Sequence, residues 1–134
     1  MDVRRDETYE LRVSEDIVRV RQLARAWAIE IGFSLVDQTK IVTAASELAR
    51  NTIDHGRGGI ARFRYVVNGT RKGLRLDFTD RGPGILDVQL ALRDGYTTGS
   101  GLGLGLSGTR RLMSEFEIES APGKGTRVSV TRWT

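Results

Sequence analysis

Two short runs of alternating apolar residues, 60–67 and 74–79, flank the segment Asn68-Gly69-Thr70-Arg71-Lys72-Gly73. That arrangement predicts two antiparallel strands with the segment as their hairpin connection. In the second run Leu74, Leu76 and Phe78 share one face, and Asp80 lies just past its end. A second strand pair is predicted at 116–121 and 126–133, around Pro122-Gly123-Lys124-Gly125. Strands that turn straight back on themselves do not build the crossover ladder of a parallel sheet. With the helical stretches in separate blocks, a two-layer α+β sandwich is favoured over a doubly wound fold. The length of 134 residues suits one domain, residues 1–134, with a core of its own.

The helical blocks are legible from their stripes. Residues 8–13 alternate as a first strand, after which Ser14 is expected to cap a helix carrying Glu15 and Asp16 in its first turn. Ile17, Val20, Ala24, Trp27 and Ile31 recur at helical spacing, and Gly32 stops the pattern. A second helix is predicted over about 35–54, with Ile41, Ala45, Leu48 and Thr52 inward and Glu47, Asn51 and His55 on a neighbouring face. A short helix is expected within 86–94. A longer one, reaching about residue 115, carries Leu106, Leu112, Met113 and Phe116.

Composition excludes several classes of function. The chain has no cysteine and one histidine, which removes disulfides, thiol catalysis and the usual zinc sites. Its apolar runs are only a few residues long and its N-terminus is charged, so neither a membrane span nor a signal peptide is expected; a cytoplasmic protein is. The net charge is +4, but the cations are scattered among 17 acidic residues, and no nucleic-acid partner is expected.

Three local patterns carry chemistry. The run Gly99-Ser100-Gly101-Leu102-Gly103-Leu104-Gly105 ends where a helix begins. Unpaired amides at such a terminus suit phosphate, and glycines allow close approach. The run is not a P-loop, lacking Gly-Lys-Ser/Thr, nor does an apolar strand lead into it as in a dinucleotide fold. A mobile surface loop accounts for it equally well. Asp80-x-Gly82-x-Gly84 places a carboxylate acceptor, suited to an exocyclic amine, at a strand end. Asp, Pro and Gly are also what ordinary turns are made of. Glu47 and Asn51 stand four residues apart: an amide carbonyl for Mg²⁺ and a carboxylate for a proton, or a plain polar pair on a solvated face.

Taken in order, Glu47-x-x-x-Asn51, Asp80-x-Gly82-x-Gly84, Gly101-x-Gly103-x-Gly105 and Gly125-Thr126 resemble the four ATP-site boxes of the GHKL ATPase/kinase superfamily. Within it the chain is similar, over about 16–133, to small bacterial serine-protein kinases of partner-switching pathways, above all the switch kinases of the stressosome. The stretches Arg21-Gln22-Leu23-Ala24-Arg25, Ser46-Glu47-Leu48-Ala49-Arg50-Asn51 and residues 105–116 carry that similarity.

The resemblance implies a mixed sheet of about five strands covered on one face by helices, with ATP and Mg²⁺ as cofactors. By the same resemblance Asp80 would accept the adenine amino group, supported by Thr126, and Asn51 would ligate Mg²⁺. Glu47 would orient or deprotonate the acceptor serine. Gly82, Gly84, Gly99, Gly101, Leu102, Gly103, Leu104 and Gly105 would form the nucleotide-binding turn and phosphate loop. Implied partners are STAS-domain substrates and a PP2C-type phosphatase. His55-Gly56 is similar instead to the anti-sigma-factor kinases of the superfamily, which adds a sigma factor to the partners implied.

Overall fold

In the computed structural model, which describes residues 1–93 and 105–134, the elements follow in the order β1 (Asp2–Leu11), α1 (Glu15–Ile31), α2 (Leu35–Asp54), β2 (Gly59–Asn68), β3 (Arg71–Asp80), α3 (Val88–Ala91), α4 (Gly105–Leu112), β4 (Glu115–Ser120) and β5 (Thr126–Trp133). The expected α+β sandwich is present, with five strands in the spatial order β1-β2-β3-β5-β4. Among the described residues every neighbouring pair is antiparallel, so the sheet is not mixed. The reason lies in the second hairpin. The helical crossover leaves β3 and β4 running the same way, and β5 turns back from β4 into the gap between them.

Alternation along the strands divides the sheet into two faces. One face carries Phe63, Leu74, Leu76, Phe78, Val128 and Val130 against Val20, Ala24, Trp27, Ile41, Ala45 and Leu48 of the two long helices. The Trp27 and Phe63 rings meet edge to face at 5.6 Å between centroids, and Tyr9 meets Phe63 likewise at 5.2 Å. Edge-to-face packing of this kind adds to the area that the rings bury. No helix among the described residues is long and apolar enough to cross a membrane.

Local signals explain the element ends and two departures from the expectations. Ser34 is extended and its hydroxyl accepts the Asp37 amide at 3.2 Å, starting α2 at the predicted residue. Ser14 precedes α1 but is itself helical and makes no capping bond. Asp16 takes over, its carboxylate accepting the Arg12 and Val13 amides at 2.8 and 3.1 Å. Those two bonds hold its carboxyl below the usual carboxylate range. β1 is longer than its apolar pattern, because the ladder to β2 extends through residues with no such pattern. Arg62 bonds Asp6 at 2.6 and 2.9 Å, and Arg5 lies 4.1 Å above the Trp27 ring. α4 stops at Leu112 rather than near residue 115, since Ser114 already donates its amide to Thr131 at 2.9 Å. The helix expected within 86–94 is the single turn of α3, begun by Asp87; residue 94 lies outside the described residues.

The other face of the sheet is charged. At its centre Asp77, only 5% exposed, accepts bonds from the Ser129 hydroxyl and the Arg64 guanidinium, with Arg75 Nε at 3.4 Å. Burial pushes this carboxyl up, but the bonds from Ser129 and Arg64 and the charges of Arg75 and Arg64 outweigh it, and the net shift is downward. A depressed carboxyl contributes stability above its unfolded pKa and loses it as pH falls through the folded value. Asp77→Asn is therefore expected to cost about 2 kcal/mol at pH 7 in urea denaturation. The gap to wild type should close as the pH drops below the carboxylate range; a gap independent of pH would refute the ionic account.

Candidate functional site

The register of the sheet gathers most of the expected residues at one end. Gly59 pairs with Asp80, Asp80 with Thr126, and Thr126 with Ser120, forming one row across four strands. Asp80 ends β3 on the side that Phe78 and Leu76 define, facing the helices. It is half-buried, and its Oδ1 accepts the Gly82 amide at 2.9 Å. Oδ2 has no protein donor among the described residues, which leaves an aimed acceptor for a ligand.

The chain packs so closely around that carboxylate that two neighbouring positions admit no side chain. Gly56, buried just beyond α2, lies flush against Asp80, and a Cβ there would overlap the carboxyl group. Gly84 has φ +77°, and a Cβ on it would strike the Ala121 carbonyl oxygen. With the Gly123 amide donating to Pro83 at 2.7 Å, the segment after β3 is laid on the turn between β4 and β5. Ser120 locks this junction. Its hydroxyl donates to the Gly125 carbonyl at 2.9 Å and accepts the Ile85 amide at 2.8 Å. With its one proton committed, the 2.8 Å contact to Thr126 has the threonine hydroxyl donating. Thr126 thus sits beside Asp80 in register, with its proton held by Ser120 and lone pairs to spare.

α2 supplies the second wall. Glu47 is 8% exposed and Asn51 half-buried, four residues apart on one side of the helix. Oε1 of Glu47 accepts the amide of Gly105, the first residue of α4, at 3.3 Å, and Oε2 accepts Arg50 NH1 at the same distance. Glu47 therefore caps the helix that follows the glycine-rich run. The Asn51 carboxamide has no partner among the described residues. Its carbonyl is a hard oxygen donor of the kind Mg²⁺ takes alongside phosphate oxygens.

Asp80, Gly82, Gly84 and Thr126 are thus brought together at the sheet end, with Glu47, Asn51 and Gly105 on the helical side. Gly99, Gly101, Leu102, Gly103 and Leu104 lie outside the described residues. Gly56 and Ser120 were not among the expected site residues. Both had a signal: Gly56 is the glycine that ends the Asn51 helix, and Ser120 continues the inward alternation of Phe116 and Ile118 as a polar residue.

Comparison with known proteins identifies the family. Residues 36–133 match the family model described as histidine kinase-, DNA gyrase B-, and HSP90-like ATPase. The chain is 45% identical over 118 residues to the serine/threonine-protein kinase RsbT of Bacillus subtilis (strain 168), covering 88% of this chain and 89% of that protein. It is 31% identical to the anti-sigma F factor of Thermoanaerobacter sp. (strain X514), over 84% of this chain and 82% of the relative. The crystal structure of the RsbU and RsbW domains of a Mycobacterium tuberculosis protein superposes with a TM-score of 0.67 at 24% identity. That match covers 96% of this chain and 32% of the other, and it speaks to the fold alone. The chain belongs to the histidine kinase-, DNA gyrase B- and HSP90-like ATPase family, among its serine/threonine-protein kinases.

Proposed function

We propose that residues 1–134 act as one ATP- and Mg²⁺-dependent kinase domain that phosphorylates a serine or threonine of STAS-domain proteins in a stress-response partner-switching pathway. In the same reading the kinase, once released, binds and activates a PP2C-type phosphatase. The observation that carries the nucleotide part is Asp80: a half-buried carboxylate with one oxygen held by Gly82, the other without a protein donor among the described residues, and Gly56 packed against it where no side chain would fit. Similarity to RsbT supports the kinase branch.

The roles are those that the resemblance implies, residue by residue. Asp80 accepts the adenine amino group, with Thr126 and Ser120 fixing the neighbouring strand. Asn51 offers its carbonyl to Mg²⁺ from α2, and Gly99, Gly101, Leu102, Gly103, Leu104 and Gly105 contribute backbone around the phosphates. Gly82 and Gly84 shape the turn over the base. Bound ATP with its metal supplies the phosphoryl group. Glu47, held between Gly105 and Arg50, would take the proton of the acceptor hydroxyl while its oxygen bonds the γ-phosphorus and the bond to the β-phosphate oxygen breaks, ADP leaving.

A second reading has a specific support in the anti-sigma F factors to which the chain is about 31% identical. There the chain would sequester a sigma factor and phosphorylate its STAS-domain antagonist, and a pull-down with purified sigma factor separates the two.

The direct test mixes the purified protein with Mg-ATP and candidate STAS proteins and reads intact mass. One added phosphate is expected with wild type and none with Asp80→Asn. No transfer to any STAS protein despite tight nucleotide binding would move the reading to sequestration. Asp80→Asn should weaken nucleotide binding by about 2 kcal/mol in calorimetry, the cost of a lost hydrogen bond to a charged group. Unchanged binding would sink the adenine assignment. Glu47→Gln keeps an oxygen for the Gly105 amide but cannot take a proton. It is expected to retain nucleotide and slow transfer about 10²–10⁴-fold; nucleotide loss of the same size would make Glu47 a binding group instead.

A further inference from the structure

α4 is eight residues long, too short to be stable alone, and its position has to be set by its surroundings. Two carboxylates of α2 bracket it. At its start the Gly105 amide donates to Glu47 at 3.3 Å. At its end the Leu112 carbonyl, an orphan acceptor of the last turn, receives Arg132 NH1 at 2.9 Å. Arg132 is not free to move, because its NH2 donates to Asp37 in the first turn of α2, also at 2.9 Å. The two side chains are 19% and 24% exposed, so the pair is largely shielded from solvent. A cation over a helix C-terminus is also favoured by the helix dipole.

The geometry closes on itself. Ten residues separate Asp37 from Glu47, about 15 Å along α2, and α4 is about 12 Å long. α4 therefore runs back along α2, its first turn at Glu47 and its last turn joined through Arg132 to Asp37. Ser114, just past α4, adds two bonds to β5: its amide to the Thr131 carbonyl at 2.9 Å, and the Trp133 amide to its hydroxyl at 3.1 Å. Among the described residues the C-terminal end is held by short bonds and the N-terminal end by the longer bond to Glu47. Any displacement at Leu112 is carried to Gly105 along a rigid rod.

We propose that Arg132 is a positioning residue for the nucleotide site: by joining the Leu112 carbonyl to Asp37 it fixes α4 along α2 and so places the Gly105 amide. This rests on the nucleotide reading above for its functional consequence but not for its geometry. Arg132 touches neither nucleotide nor acceptor; it acts through α4.

The test compares wild type with Arg132→Gln, Arg132→Lys and Asp37→Asn. Two quantities are read: the amide resonance of Gly105 in a nitrogen-15 correlation spectrum, and Mg-ADP affinity by calorimetry well below the melting temperature. Arg132→Gln is expected to move the Gly105 resonance, at the far end of the helix from Leu112, and to weaken Mg-ADP about tenfold. Arg132→Lys should recover part of both, since a cation still reaches Leu112 but not both partners. Asp37→Asn should shift both in the same direction by less. Where kinase turnover is measurable, KM for ATP should rise with little change in kcat.

If folded Arg132→Gln and Asp37→Asn leave the Gly105 resonance and the affinity at wild-type values, the proposal is wrong. Should Arg132→Gln not fold, Asp37→Asn at the outer end of the pair decides by the same readings. Should wild type bind no Mg-ADP, the nucleotide reading fails separately. The Gly105 resonance then decides the bracket alone: moved in the variants, it stands; unmoved, it falls.

Discussion

The antiparallel pairing of β3 on both its edges is the constraint on which the site depends. A strand hydrogen-bonded on two sides has no freedom of register, and a slip of one residue would turn its whole apolar set outward. Phe78, Leu76 and Leu74 therefore pin Asp80 as firmly as the core itself is pinned. Gly59 on one side and Thr126 on the other come along with that register. The carboxylate needs no dedicated scaffold, since it continues an inward-facing row at the point where the row leaves the core.

α2 performs the matching task for the helical layer. Its buried stripe holds Ile41, Ala45 and Leu48 against the sheet, and its adjoining face carries Asn51 and Glu47, the latter bonded to the start of α4. Because both faces belong to one rigid helix, the distance from Glu47 to the sheet is set by core packing. The charged face of the sheet works independently. Asp77 and its arginines lie on the side away from the helices, so this ion-pair cluster does not draw on the groups of the site.

Much of this was legible in the sequence, for a physical reason: periodicity reports burial, and burial here is one-sided. The stripes of α1 and α2 and the alternation of β2, β3 and β5 all carry that signal, and Gly32 and the segment 68–73 punctuate them. The remainder was hidden where structure comes from partners rather than from pattern. Residues 2–7 have no apolar alternation and become a strand because β2 offers a ladder and Arg62 a counter-ion. α4 ends early because β5 claims Ser114, a contact across 17 residues of sequence. At the site, Asp80, Glu47 and Asn51 stood out by residue type and spacing. Gly56 and Ser120 did not, because a glycine matters there for the close approach it allows to Asp80 and a serine for three bonds to backbone and threonine brought near by folding. The mixed sheet was implied by the resemblance alone; β3 and β4 do run in parallel, but β5 lies between them and they never touch.

The turn between β4 and β5 looks like any solvent-facing loop, yet the Pro83 carbonyl and Gly84 are fastened to it. For protein engineering this divides the two hairpin tips sharply. An affinity tag or a fluorescent insert at residues 69–70 would dangle from the far end of the sheet. The same insert at 122–124 would pry the segment after Asp80 off its seat, although both tips are equally exposed. Among natural variants, changes of length should accumulate at the first tip and be purged at the second.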